Sequence, residues 1–402
     1  MRSALRLLAM TIAVGIAPGG VAAPPEPAVL FDGAVDYAPV PAADTTAGFQ
    51  FSLLAAIDPA LPTATGQNGQ MLSLFGREDL IAASSDDYRA TRCAPAPATG
   101  PALDAIAERA RNTSIVIINE SHERSEHRGF SAEVAARLRP LGYTVLAMEA
   151  LDNSGVAAPL RHRAPFLREP ALPYFSNEDG FYLGESGFGR FGRIAKRLGY
   201  RLLPYEAGSP PSARPMTREQ SIAFREAEQA RTLAAFIAVN PSVKLLVHVG
   251  YSHAGEVPMP DGTVWMAARL KQQTGIDPLT ISQTTCRGGG DATRLAVLPA
   301  DEPAGRFDLV VDHPTARFER GRPVWRRDLG DQWVDVPAMR PFTGWRVIEA
   351  RLAGEPVTAV PMDTVAVRPG EDVALLLPPG RYTLRAIDVP ARPAGDPPLR
   401  TG

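Results

Sequence analysis

Three carboxylates and two imidazoles in this chain stand where they could do acid–base chemistry: Glu120 and His122, two residues apart, then Glu149, Glu206 and His253. A histidine can act as general base on a water molecule that carboxylates orient and polarise. A third carboxylate and a cation could then polarise that water or hold developing charge. His122, His253 and Glu120 together would also suit a divalent metal, in a zinc-like site with one open position. These residues are distant in sequence, so they act together only if the fold gathers them.

Several other motifs fail on spacing. His127 follows His122 by five residues, which on a helix turns the side chains about 140° apart. The same spacing excludes both metalloprotease patterns, which need the second His four residues on. No Gly-Xaa-Ser-Xaa-Gly elbow surrounds a usable Ser. Gly184–Gly189 lacks the strand context of a dinucleotide-binding loop. His248 lies inside a predicted strand and reads as a core imidazole. His162 and His313 read as exposed or surface residues.

Hydrophobic patterning supplies the elements that would position the candidates. Ile115–Ile118 are four consecutive β-branched residues, the pattern of a parallel strand buried on both faces. The run stops at Asn119-Glu120-Ser121-His122. Helical spacing over Gly129–Leu138 and a second strand at Tyr143–Met148, ending at Glu149, complete a right-handed βαβ unit. Helix over Phe188–Leu198 precedes a third strand, Tyr200–Tyr205, ending at Glu206. Thr217 with Gln220 makes a capping box for a helix to Val239, with Ala223, Ala227, Ala230, Ala234 and Ile237 on one face. Val243–Val249 is the fourth strand and runs into Gly250-Tyr251-Ser252-His253. Helix over Val264–Gln273 and a strand at Leu279–Gln283 follow. Ligands in open α/β sheets sit beyond the carboxyl ends of the strands, where every candidate residue falls.

The expected fold class is α/β: a mostly parallel sheet flanked by helices, plus a small C-terminal β-sandwich-like module. The 402 residues divide into a signal peptide (1–23), an N-terminal extension (24–100), the α/β unit (101–290), C-terminal strands and β-module (291–389) and a tail (390–402). Within the extension, residues 24–66 read as an irregular arm over the surface, and 67–100 are weakly patterned. Residues 152–187 are Pro- and aromatic-rich without periodicity, as a lid or binding insertion would be.

Arg2 and Arg6, the apolar stretch Leu7–Ala17 and the small residues Gly20–Ala23 form a secretory signal, implying a periplasmic or secreted protein. The apolar stretch is too short to span a bilayer, and no membrane span is expected after cleavage. In an oxidising compartment the only two cysteines, Cys93 and Cys286, could pair. Net charge is −2, with no basic patch to suggest a nucleic-acid partner.

Asn119-Glu120-Ser121-His122 resembles the Gly-Glu-Xaa-His signature of the erythromycin esterase-like/ChaN-like/TraB/Tiki superfamily, with Asn119 in place of glycine. Gly250-Tyr251-Ser252-His253 resembles its second motif, Gly-Xaa-Xaa-His. Met148-Glu149 fits the end of the group's second strand, and Arg218-Glu219-Gln220 the start of its long helix. The resemblance covers about residues 105–285.

That superfamily includes ester hydrolases, membrane-tethered proteases and haem-binding proteins, so the resemblance implies a choice among chemistries. The first is a hydrolase of ester, amide or peptide bonds. In it His122 or His253 is general base, Glu120 and Glu149 orient the water, and Arg218 stabilises an oxyanion. The substrate is a small molecule or peptide, and a divalent metal could assist. The second is a periplasmic haem- or metal-binding protein, with haem held by an axial His and the aromatics of Phe166–Phe191. The third is an inactive scaffold that binds a partner, which Asn119 favours.

Overall fold

A computed structural model describes residues 29–40, 50–58, 67–97, 100–153, 156–208 and 215–389. The expected signal peptide and tail lie outside the described residues. Ile115, Val116, Ile117 and Ile118 are fully buried, as their β-branched run demands. Burying each is worth about 1.5–3 kcal/mol. They form β1 (Ile115–Glu120), the middle strand of a seven-stranded sheet. The others are β2 (Tyr143–Met148), β3 (Arg201–Pro204), β4 (Lys244–Gly250), β5 (Leu279–Arg287), β6 (Arg294–Ala296) and β7 (Leu309–His313), in spatial order β3-β2-β4-β1-β5-β7-β6. All pair in parallel except the edge strand β6.

Helices α1 (Ala102–Arg109), α2 (Ser125–Leu138) and α3 (Ser186–Arg197) cover one face, against Val116, Ile118, Leu146 and Met148. Helices α4 (Arg218–Val239) and α5 (Met266–Thr274) cover the other, against Ile115, Ile117, Val145 and Ala147. The link from β1 crosses one face to β2, while the link from β4 crosses the opposite face to β5. The adjacent strands β1 and β4 therefore form a topological switch point, where a crevice opens at the carboxyl edge. Their register sets Glu120 beside Gly250, and Met148 pairs with His248. Residues 119–122, 149 and 250–253 are thus level.

Four expectations change. β6 and β7 belong to this sheet although they lie past the expected boundary at 290, because Val310 and Val311 are buried beside β5. His313, read as a surface residue, ends β7 and is 1% exposed. The N-terminal extension is not irregular throughout, although its first strands are exposed at the surface. Its Leu30–Phe31 and Asp36–Ala38 strands pair with β12 (Arg381–Val389), in a five-stranded sheet with β9 (Trp345–Leu352) and β10 (Asp363–Val367). Phe51, Leu54 and Leu72 of the extension cover one face of that sheet. The ribbon of β8 (Gln332–Asp335) and β11 (Ala374–Leu377) covers the other. The C-terminal β-unit is therefore one sheet between helices and a ribbon, rather than two matched sheets.

Cys93 and Cys286 form a disulfide across a sequence separation of 193, with 5.9 Å between their Cα atoms. It ties the extension to β5. Beside it Thr91 exchanges hydrogen bonds with Arg287, donating its N–H to the Arg287 carbonyl and accepting from the Arg287 N–H on Oγ1.

Candidate functional site

The crevice at the switch point is a cleft of about 750 Å³, lined by Glu120, His122, Glu149, Glu206, Arg225 and His248 on its floor. Asn153, Asn177, Glu178, Phe181 and Tyr182 of the 152–187 insertion form one wall. His122 Nδ1 lies 3.0 Å from Glu120 Oε1. The ring stacks on Tyr182, centroids 5.3 Å apart, and meets Tyr251 edge-on at 4.9 Å. Its Nε2 has no hydrogen-bond partner among the described residues, and the side chain is 23% exposed. Nδ1 therefore carries the proton toward Glu120 and Nε2 offers its lone pair to the cleft.

Glu120 is buried and clamped in turn. Arg128 Nε lies 2.8 Å from Oε2, and Arg128 Nη2 donates to Oε1 at 3.2 Å. Burial pushes the Glu120 carboxyl up, but Arg128 and the His122 hydrogen bond outweigh it and hold the carboxyl below its ordinary value. His248 is buried as expected of a core imidazole, yet it also lies on the cleft floor, its Nε2 3.8 Å from Glu120 Oε2. Burial drives its pKa down to about 4.

Gly250 needs no special backbone, at φ −79°. It is required for space: a Cβ there would lie 2.6 Å from His122 Cε1 and 2.9 Å from Nε2. Tyr182 and Tyr251, the rings that hold His122, are two of the three described non-glycine residues at positive φ, at +60° and +37°. Such conformations cost about 1–3 kcal/mol each and persist where surrounding contacts impose them. For Tyr251, Asp87 supplies one such contact, accepting from its hydroxyl at 2.8 Å and from Ser121 Oγ at 2.5 Å.

The second imidazole lies across Glu149. His253 Nδ1 is 2.6 Å from Glu226, which is fully buried and also accepts from the first amide of α5, Met266 N, at 2.7 Å. His253 Nε2 is 3.1 Å from Arg225 Nη1 and 3.6 Å from Glu149 Oε1. The first contact suits a neutral ring and the second a protonated one. Burial lowers the ring's pKa, but the Glu226 hydrogen bond and Glu149 raise it more, so the net direction is upward. Glu149 accepts from Gly250 N at 2.5 Å and pairs with Arg225. Burial raises it, but His253, Arg225 and His122 pull it down to about 2. Arg225 also pairs with Glu206, its Nε 2.9 Å from Oε1.

The expected residues Glu120, His122 and Glu149 thus line one cleft together with Glu206, and His253 lies behind them, against Glu149 and Arg225. Arg218 does not join them. It is exposed at the first turn of α4, and Arg225, two turns on, lines the cleft instead. The expected alanine stripe of α4 meets the buried face at Ala230 and Ile237, with Ala234 packed beside them, but that face also carries Glu226, Gln229 and Leu233, while Ala223 is exposed. Arg128, Arg225 and Glu226 escape a hydrophobic reading because polar groups turn inward here. Thr217 and Gln220 do form the expected capping box.

The expected metal trio is not assembled. Among the described residues no group of three or more His, Cys, Asp or Glu is arranged to hold a metal ion. His253 turns its nitrogens to Glu226 and the Arg225 guanidinium, and Glu120 is taken by Arg128. The aromatics expected to line a haem pocket divide: Phe166, Phe175 and Phe191 are core residues, while Phe181, Tyr182 and Phe188 reach the cleft. Among the described residues no helix is long and apolar enough to cross a membrane.

No family model matches the chain, and no curated protein does. Among solved structures, the type III effector HopBA1 aligns over 56% of this chain and 97% of its own, at 18% identity and a TM-score of 0.35. RRSP, a MARTX toxin effector domain from Vibrio vulnificus, aligns over 55% and 41%, also at 18% identity and 0.35. A mutant of the erythromycin esterase EreC in its open conformation aligns over 66% and 53%, at 11% identity and 0.15. The superfamily that the motifs resemble is thus represented by the weakest of these three alignments. None of the likenesses is strong enough to bear on function.

Proposed function

We propose that this protein is an exported hydrolase that uses His122 to activate water against an ester, amide or peptide bond of a small molecule or peptide. The observation that carries the reading is the pairing of His122 with Glu120: Nδ1 is held by a buried carboxylate, and Nε2 is presented to the cleft. That is the arrangement a general base needs. Opposite it, four of the five Arg225 N–H groups have partners in Glu149, Glu206 and His253. The remaining Nη1 hydrogen can meet the oxyanion of a tetrahedral intermediate. The imidazolium formed on His122 can return the proton to the leaving group, while His253, held by Glu226, positions Arg225. The Cys93–Cys286 disulfide supports export to an oxidising compartment, the periplasm or beyond.

The test is a panel of p-nitrophenyl esters, anilides and fluorogenic peptides on the purified protein. His122→Ala is expected to lower turnover by about 10²–10⁴-fold, the usual worth of a general base. Circular dichroism and melting should stay near wild type, because the ring is partly exposed. Equal activity in wild type and variant removes the proposal.

A further inference from the structure

A chain of buried charges runs from the C-terminal β-unit to the Glu120–His122 pair. Asp363, fully buried on β10, pairs with Arg322 and Arg326, the latter at 2.6 Å, and accepts from Leu376 N at 2.7 Å. Arg326 Nε and Arg190 Nη2 both reach Asp331 Oδ2, at 3.1 and 2.6 Å. Ser186 Oγ lies 3.5 Å from Asp363 Oδ1 and 3.3 Å from Glu185 Oε1, so its single proton serves either carboxylate. Glu185, 3% exposed at the N-cap of α3, is 3.3 Å from Arg128 Nη1. Arg128 lies with its guanidinium 4.5 Å from the Phe188 ring centre and is shared between Glu185 and Glu120.

Arg128, Arg190, Arg322 and Arg326 thus match Glu120, Glu185, Asp331 and Asp363 one for one. Buried charges are tolerated only when so matched, and removal of one partner is strongly felt by the rest. α3 is also bolted to the C-terminal unit, since Arg193 donates to Val360 O at 2.7 Å and pairs with Glu355.

We propose that the C-terminal β-unit is a working part of the site: Asp363 and its arginines, acting through Glu185, set how Arg128 divides itself between two carboxylates and so how firmly Glu120 holds His122. Glu185 is then a positioning residue, remote from substrate. The proposal rests on the reading of Glu120–His122 as the site's acid–base pair. The other charged or polar groups around His122 are Glu149, Glu123, His248, Tyr182 and Tyr251, and none of them touches Glu185.

If Glu185 loses its charge, Glu120 is the one carboxylate left in contact with Arg128, which also donates to the His122 carbonyl at 3.0 Å. A carboxylate more fully satisfied by a guanidinium is a weaker acceptor for the imidazole N–H. The His122 ring then loses its preference for a proton on Nδ1.

The experiment is long-range ¹H–¹⁵N correlation spectroscopy on full-length protein labelled with ¹⁵N-histidine, at a pH where the imidazoles are neutral. Six histidines are present. His127 Nδ1 accepts from Ser121 N at 2.9 Å, so its proton is on Nε2 and its pattern checks the fold. His162 is exposed and gives a free-imidazole reference. In wild type His122 should show the Nδ1–H pattern. Glu185→Gln should cut that preference several-fold toward a tautomer mixture, with His127 and His162 unchanged, and Glu185→Asp should restore it. Asp363→Asn should act in the same direction, because Arg326, left with Asp331 as its one carboxylate contact, draws Glu185 from Arg128. It provides the decisive reading if Glu185→Gln does not fold. An unchanged His122 pattern in a folded variant overturns the proposal, as does a change shared by His127. Because the readout is the ring itself, a protein inactive on every substrate would refute the hydrolase reading and leave this result standing.

Discussion

Gly250→Ala is the sharpest test of whether His122 is the reacting base. The substitution adds one methyl group at a backbone position of φ −79°, which alanine adopts freely, so no turn is strained. The new Cβ would lie 2.6 Å from His122 Cε1, against an ordinary contact limit of 3.4 Å, so the ring must move by about 0.8 Å. The ring is 23% exposed and has the cleft to move into. The stability cost should therefore sit near the low end of overpacking, about 1 kcal/mol. The catalytic cost should be much larger, because displacement of a reacting group by about 1 Å costs on the order of 10²-fold in rate. The assay pairs kcat/KM on the best substrate of the panel with a urea melt. A loss of about 10²-fold with a melt displaced by no more than about 1 kcal/mol is the expected outcome. Activity within about threefold of wild type would refute the reasoning, since the base cannot tolerate such a shift.

Two further outcomes follow from the same structure. Glu149 is held at about 2 against 4.5 in the unfolded chain, so its stabilisation is complete above about 4.5 and disappears as pH falls through about 2. The shift corresponds to at most about 3 kcal/mol, and less in practice because Arg225 is 39% exposed to water. Urea melts should therefore weaken between pH 5 and pH 2, and Arg225→Met should flatten that decline; an identical pH slope in the variant contradicts the assignment. Reduction of Cys93–Cys286, or Cys93→Ser with Cys286→Ser, opens a loop spanning 193 residues in sequence, worth roughly 5 kcal/mol by the chain-entropy argument. Thermal melts with and without reductant should separate clearly, and coincident melts would show that the unfolded chain gains nothing from release.

Parts of this molecule could be read directly from the sequence. Four β-branched residues in a row specify a two-faced buried strand, and Asn119 to His122 mark its end, because nothing polar could stand earlier in it. Thr217 and Gln220 specify a helix start by local chemistry alone. What could not be read had a common cause. Helix α4 turns Arg225, Glu226 and Gln229 toward the sheet, where each finds a partner of opposite charge or matching hydrogen-bond sense. Hydrophobic periodicity then finds Ala230 and Ile237 but not the polar part of the buried face, and Arg218, taken from the resembled motif at the head of the helix, stands in for Arg225. His313 is hidden for a similar reason. Its Nε2 lies 2.9 Å from Gln283 Oε1, and its ring stacks on His127 at 5.2 Å, so an imidazole takes a core position that an apolar pattern assigns elsewhere. The role of the extension depends on pairing with β12, more than 300 residues away, a contact that no local pattern encodes.

Asn119 gives the last step. Where the resembled motif has glycine, a larger side chain reads in isolation as decay of the site. The structure assigns that side chain four hydrogen-bonding contacts. Oδ1 accepts from Gln283 N at 2.7 Å, and Nδ2 donates to Tyr251 O at 2.6 Å, to Thr284 Oγ1 at 3.1 Å and, more weakly, to Ser282 Oγ at 3.4 Å. It therefore laces β1 to the turn that follows β4 and to β5 itself, and one of its partners is the carbonyl of Tyr251, held at positive φ against His122. Gln283 returns the tie, donating to the Asn119 carbonyl at 2.7 Å. A buried amide with this many partners is a device for holding two strand ends in register, since leaving any of them unpaired would cost about 1–3 kcal/mol. The departure from the motif thus supports the geometry around His122, and the inactive-scaffold reading loses the one residue that favoured it.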